Sequence, residues 1–306
     1  MSQSRLPDVN VVVTGAGGQL GSELVASAPP GWPVVALARG ELDITDRDAV
    51  RSQIAAASPT VIINAAAYTA VDRAEEQPEL ARAVNADGAA NLATAAREVG
   101  ARLVHVSTDF AFDGARARPY SPETPPSPLG VYARSKVEGE ARVMALAGES
   151  ATIIRTGWLY SARGRNFVMT MLRLMRERGL VEVVADQIGT PTWAGGFAAV
   201  LWAAAARSDM PGIWHWADAG VASRYDLAVA VRDESQRLGL LDRPVDVLPI
   251  ATGEYPALAP RPAFSVLDCA ATRRHLGIAA RHWSESLHDM LVEVQGSAGS
   301  PTVPTP

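Results

Sequence analysis

Tyr132 and Lys136 stand four residues apart in a segment of helical spacing, so a helix would set both side chains on one face and aim them at one ligand. A free tyrosine has a pKa of about 10, too weak an acid to protonate a developing alkoxide well at neutral pH, and a nearby ammonium favours its ionised form. The pair is the outline of a proton donor with an electrostatic partner. YxxxK alone is usually a surface pair, but this one follows Ser107-Thr108-Asp109 at the end of an apolar run. There the Thr108 hydroxyl can hydrogen-bond a substrate carbonyl and steer it toward Tyr132.

A second group of residues suits a dinucleotide. Thr14, Gly15, Gly18 and Gly21 form TGxxGxxG between an apolar β-branched run and a helix-compatible stretch. Glycines there let backbone approach a pyrophosphate, and the helix start offers orphan N–H groups and a positive dipole end. A turn serving only tight strand–helix packing is the alternative. The next strand ends at Ala38-Arg39, without the acidic residue that commonly binds ribose hydroxyls in NAD-selective proteins. Arg39 can pair with a 2′-phosphate or simply face solvent, which favours NADPH over NADH while leaving NADH open. Asp43 and Ile44 can hold an adenine, or Asp43 can cap the following helix. Asn64 to Ala67 ends a third strand in small residues that leave room for cofactor, or is a plain buried strand end.

The elements needed to position these groups are legible as alternation. Strands are expected at Val9 to Thr14, Val34 to Ala38, Val61 to Ala66, Leu103 to Ser107 and Thr152 to Thr156, and helices at Gln19 to Ser27, Arg47 to Ala57, Pro78 to Val99 and Val131 to Ala147. This predicts an α/β fold: a Rossmann-like doubly wound parallel sheet with a smaller α/β substrate-binding lobe. The core is expected over 8–160 with 181–235 returning to it, the lobe over 161–180 and 236–294, and a loose tail over 295–306. The 306 residues, 48% hydrophobic and 20% charged, suffice for a sizeable core. A net charge of −5 with interspersed signs offers no basic face to nucleic acid or an anionic membrane. The lone Cys269 excludes an intrachain disulfide and lacks zinc-ligand neighbours. The polar start, Met1 to Asp8, has no signal core and no run is long enough to span a bilayer, so the cytoplasm is the expected location.

From Val9 to Val294 the sequence resembles the extended short-chain dehydrogenases and, within them, the dTDP-4-dehydrorhamnose reductase family. The resemblance rests on GAGGQLGSEL (from Gly15), ELDITD (from Glu41), NAAAYTAVDRAE (from Asn64), HVSTDFAFDG (from His105), VYARSKVEGE (from Val131), RTGWLY (from Arg155) and DQIGTPT (from Asp186). It implies reduction of the 4-keto group of dTDP-4-dehydro-L-rhamnose by NADPH. By resemblance Tyr132 is the proton donor, Lys136 its partner and a nicotinamide-ribose contact, and Thr108 the carbonyl orienter. Gly18, Gln19 and Leu20 would touch the cofactor pyrophosphate, with Asp43, Ile44, Ala67, Tyr68 and Thr69 lining the rest of the groove. Asp109 and Trp158 fall near the sugar, although a tryptophan after a strand is more often core.

Some relatives dimerise around magnesium held by glutamates. Glu23 and Glu293 match, whereas Gly195 leaves the set one carboxylate short, so a homodimer is carried as an expectation and magnesium is doubted. In RPAFSVLD (Arg261 to Asp268) Phe264 replaces a polar residue of many relatives, where substrate identity could drift. Rival readings are a 4-ketoreductase or epimerase of another dTDP-deoxysugar, which uses the same Tyr and Lys, and a non-catalytic NADP-binding regulatory subunit. A dehydratase would place a glutamate after Asp109, and here Phe110 follows.

Overall fold

The structure is a computed structural model that describes residues 9–298; the polar start 1–8 and the tail beyond 298 lie outside the described residues. Strand β1 (Val11–Thr14) leads through helix α1 (Gln19–Ala26) to β2 (Val34–Leu37), and α2 (Arg47–Ala57) leads to β3 (Val61–Asn64). Alternate residues of these strands serve opposite faces. Val11, Val13, Val61 and Ile63 join Leu20 and Leu24 of α1 in one core cluster, while Val12 and Ile62 join Val50 and Ile54 of α2 in another. Coverage on both faces is why the strands read as unbroken apolar runs.

The single helix expected over Pro78 to Val99 is divided. α3 (Val71–Glu76) and α4 (Pro78–Arg82) run into a π-helical turn (Ala83–Gly88) before α5 (Ala89–Val99). The turn gives Asn85 a task that a continuous α-helix would not: its Oδ1 accepts from Tyr68 N at 2.9 Å, and its Nδ2 donates to Tyr68 O at 3.0 Å and Ser135 Oγ at 3.0 Å.

β4 (Arg102–Thr108), α6 (Val131–Ala147) and β5 (Ala151–Thr156) complete the first half. The chain then makes β6 (Leu159–Tyr160), α7 (Phe167–Glu177), β7 (Leu180–Val184), β8 (Ile188–Gly189) and β9 (Thr192–Trp193). It returns with α8 (Ala194–Ala205) and β10 (Gly212–His215), then continues through β11 (Ala222–Ser223), α9 (Arg224–Arg237), β12 (Asp246–Ile250), α10 (Ala270–Leu276) and α11 (Trp283–Ala298). The six-stranded sheet has the order β10-β5-β4-β3-β1-β2 and is parallel throughout. Because β2 and β3 leave β1 on opposite sides, a crevice opens beyond the carboxyl ends of β1 and β3, the place where such sheets bind ligands.

The smaller lobe packs α7, α9 and α11 around the parallel pair β7 and β12, with Leu172, Val183, Leu227, Val231, Val247 and Leu291 in its core. Of the stretch 181–235 only α8 and β10 return to the sheet: Phe197 and Leu201 pack in the large core, whereas Val181, Leu227 and Val231 pack in the lobe. The order here is three short strands, a helix, two strands and a helix, and packing separates the two destinations. α11 also runs through residues 295–298 of the expected tail, because it is anchored in the lobe by Leu287, Met290 and Leu291. Among the described residues no helix is long and apolar enough to cross a membrane.

Candidate active site

Two cavities of about 400 and 490 Å³ meet beyond the ends of β1 and β3, sharing Gly18, Ala65 and Ala67. The one on the adenosine side is lined by Gly15, Arg39, Asp43, Ile44 and Tyr68, and the other by Gln19, Leu20 and Thr69 together with the expected catalytic group. The glycines divide their labour. Gly15 has φ +72°, and a Cβ there would lie 2.6 Å from Ala66 N; a Cβ on Gly21 would lie 2.1 Å from Gly15 O. Gly15 lets the turn after β1 approach the chain leaving β3, Gly21 lets α1 approach that turn, and Gly21 lines neither cavity. Gly18 is the glycine that opens onto both. α1 has no side-chain cap at Gly18 and no acidic residue in its first turn, so its leading N–H groups and dipole end face the crevice. A dinucleotide pyrophosphate fits that donor set. Asp46, not Asp43, caps α2 by accepting from Ala49 N at 2.9 Å, and Asp43 closes a turn on Thr45 N at 2.9 Å.

The start of α6 is held from outside the helix. Val131 N donates to Glu75 Oε1 of α3 at 2.7 Å, and Ser135 Oγ donates to Tyr132 O at 2.8 Å while accepting from Asn85. Tyr132 and Lys136 then face the cavity one turn apart, with Thr108 at the end of β4 on the same wall and the Phe110 ring packed edge-on to Tyr132 at 6.1 Å. Lys136 Nζ donates to Val106 O at 2.7 Å. Burial lowers Lys136 to about 8, with the Glu140 charge pulling the other way. Tyr132 is pushed up to about 12, by burial first and by the Asp109 charge, while the Thr108 hydroxyl pulls it down. Lys136 is not among the causes of that shift, its ammonium being directed to a main-chain carbonyl, and Tyr132 keeps its proton at neutral pH.

Asp109 and Trp158 line the same cavity. The Asp109 carboxylate is buried and accepts from Ser265 Oγ at 2.6 Å and from the Thr108 hydroxyl at 3.3 Å. Burial raises it to about 6, with the Ser265 bond and the Arg224 charge opposing. Trp158 adopts φ +50°, and its indole lies where a Cβ on Gly189 would come within 2.4 Å, so a glycine in DQIGTPT makes room for it. It lines the cavity and also packs against the core of the smaller lobe. Phe264 packs with Ala111, Phe112 and Tyr120 and lines neither cavity, which removes the ground for reading substrate drift at that position.

Three of the residues lining the catalytic cavity lie outside every motif read from the sequence. Arg165 precedes α7, Asn166 is its N-cap, accepting from Met169 N, and Arg224 opens α9 far along the chain. No short-range pattern marks any of them. The residues matched to the magnesium set do not fit a shared ion: Glu23 is buried and accepts from Ser161 Oγ at 2.6 Å, Glu293 lies 3.9 Å from Arg163, and Gly195 supplies no ligand.

Known proteins give the same reading as the geometry. A family model described as the RmlD substrate binding domain matches residues 9–295. The dTDP-4-dehydrorhamnose reductase of Mycolicibacterium smegmatis is 41% identical over 96% of this chain and 89% of its own length, and that of Streptomyces griseus is 42% identical over 99% of both. A crystal structure of dTDP-4-dehydrorhamnose reductase from Bacillus anthracis in complex with NADP superposes with a TM-score of 0.88 at 36% identity, covering 94% of this chain and 99% of that one. Spanned nearly end to end by the family model and by relatives of this identity, the chain belongs to the dTDP-4-dehydrorhamnose reductase family.

Proposed function

We propose that the protein reduces the 4-keto group of dTDP-4-dehydro-L-rhamnose to the alcohol of dTDP-L-rhamnose, consuming one NADPH per turnover. The observation that carries this reading is a single cavity in which the uncapped end of α1, the Tyr132–Lys136 face of α6, Thr108 and the Asp109–Trp158 wall converge. The cofactor, held by Gly18, Gln19 and Leu20 at its pyrophosphate and by Arg39, Asp43, Ile44 and Tyr68 toward the adenosine, supplies a hydride to C4. Thr108 orients the carbonyl by donating to its oxygen, which its hydroxyl can do by leaving the 3.3 Å bond to Asp109. Tyr132 gives its phenolic proton to the same oxygen as charge develops there, completing the alcohol. Lys136, by leaving Val106 O, can bring its positive charge beside the resulting tyrosinate and lower the cost of forming it. Trp158 and Asp109 present one apolar and one polar surface to the sugar. The buried Cys269 thiol suits a reducing compartment, and we assign the reaction to the cytoplasm.

The test is NADPH oxidation with dTDP-4-dehydro-L-rhamnose generated in situ. Wild type should yield dTDP-L-rhamnose in stoichiometric amount, and Tyr132→Phe should lose about 10²- to 10⁴-fold in kcat while binding NADPH normally. Product formed without net NADPH loss would indicate epimerisation, and intact cofactor binding with no turnover on any dTDP-4-keto sugar would indicate a regulatory subunit.

A further inference from the structure

The cavity contains a cation that the reaction as described does not use. Arg224 is the first residue of α9, fixed there by a reciprocal cap in which Ser223 Oγ accepts from Asp226 N at 2.9 Å and Asp226 Oδ2 accepts from Ser223 N at 2.9 Å. Its main-chain N–H reaches Gln187 O at 3.3 Å, so the start of α9 is tied to the DQIGTPT segment behind Trp158. The guanidinium carbon lies 3.5 Å from the centroid of the Trp158 ring and 5.3 Å from that of Phe167. Stacking uses the face of the guanidinium and leaves free the N–H donors at its edge, in a residue that lines the cavity.

Among the described residues no side-chain or carbonyl acceptor takes a hydrogen bond from this guanidinium. The acids and the other cation nearby are already committed. Asp109 is bonded to Ser265 and Thr108, and Arg261 is paired with Asp72 at 2.6 Å. Burial lowers Arg224 to about 10, so it remains charged at neutral pH. The side chain is half-buried, with the Asp109 charge nearby but no acceptor bonded to it, so an anion entering the cavity would complete its hydrogen bonding. The cofactor's phosphates have donors of their own without Arg224: the uncapped start of α1 at Gly18 to Leu20 for the pyrophosphate, and Arg39 on the adenosine side.

We propose that Arg224 is the anion clamp of the substrate side, its planar fork holding the diphosphate that joins nucleoside to sugar. The assignment rests on the nucleotide-sugar reading above and adds the residue that recognises the charged linkage. Holding the diphosphate against Trp158 places the sugar between that indole and Asp109, with its C4 toward Thr108 and Tyr132. Arg224 is thus a positioning residue for the keto group as well as a source of affinity.

Titration calorimetry with dTDP and with thymidine tests the clamp without turnover. Wild type should bind dTDP more tightly than thymidine, and Arg224→Met should shrink that ratio by roughly 10- to 100-fold, the loss expected for a charge-assisted phosphate contact. Arg224→Lys, which keeps the charge but not the fork, should fall between the two. NADPH affinity within about twofold of wild type certifies that each variant is folded, and in steady state KM for the keto-sugar nucleotide should rise by the same factor as the dTDP ratio falls. An unchanged dTDP-to-thymidine ratio in both folded variants, or a wild type that does not prefer dTDP, would overturn the clamp. Failure of wild type to reduce the keto sugar while dTDP binding still depends on Arg224 would instead sink the reductase reading and leave the clamp standing.

Discussion

At the scale of single residues the site is a set of shifted ionisations with one dominant cause, burial. Lys136, lowered to about 8, loses its proton within the working range of many assays, while Tyr132 at about 12 keeps its own throughout. Because kcat/KM reports the free enzyme, its pH profile should be level through neutrality and decline about tenfold per pH unit above about 8. Stability should move the other way. An unfolded lysine binds its proton up to about 10.4, so between roughly pH 8 and 10 the unfolded state holds more protons at this position and Lys136 favours folding increasingly as pH rises. Rate profiles and melting curves over the same pH range separate the two, and Lys136→Arg, charged at every pH tested, should abolish the alkaline break at reduced activity. A break that survives the arginine variant belongs to another group.

Among the elements, the π-helical turn at Ala83–Gly88 is the most informative, because it couples a cofactor wall to the catalytic helix through one side chain. Asn85 satisfies both main-chain groups of Tyr68 and the hydroxyl of Ser135, and Gly139 lets α6 approach so closely that a Cβ would lie 2.1 Å from Asn85 O. Asn85→Ala should leave three buried polar groups short of a partner, weakening NADPH binding by about tenfold and lowering kcat as Tyr132 loses its registration. Cofactor fluorescence titration checks it, and unchanged affinity would mean that Tyr68 is held by other means. This device was not legible in the sequence. A run from Pro78 to Val99 with helical periodicity reads the same whether or not one turn is widened. The strands, the glycine loop and the YxxxK face were legible because each follows from local spacing. The Asp109–Ser265 bond joins positions 156 residues apart, and the Arg224–Trp158–Phe167 stack unites three separate segments, so no window of sequence contains either. The cap of α2 shows the limit at short range: Asp43 and Asp46 are both plausible N-caps, and only the chain path chooses Asp46.

For the whole molecule the question is what keeps the smaller lobe closed on the sheet. The segment Ala259 to Asp268 crosses from one to the other and is strapped along its length. Arg261 reaches Asp72 through two bonds of 2.6 and 3.1 Å, Ile188 N donates to Ala263 O and Ser265 N to Ile188 O, both at 2.8 Å, and Tyr120 N meets Val266 O at 2.9 Å. Asp72 neighbours Val71, a cavity residue, and its carboxyl is held below the usual range first by the Arg261 guanidinium. The pair is partly open to solvent, with the Asp72 side chain 41% exposed, so its share of global stability should be about 1 kcal/mol at most. Its leverage lies in position, since freeing Arg261 slackens the segment that brings Ser265 to Asp109. Asp72→Ala should therefore raise KM for the sugar nucleotide by about fivefold, the equivalent of about 1 kcal/mol, leave KM for NADPH unchanged and shift Tm by only a few degrees. A parallel rise in KM for NADPH, or a large fall in Tm, would show that the pair braces the entire fold instead of closing the substrate side.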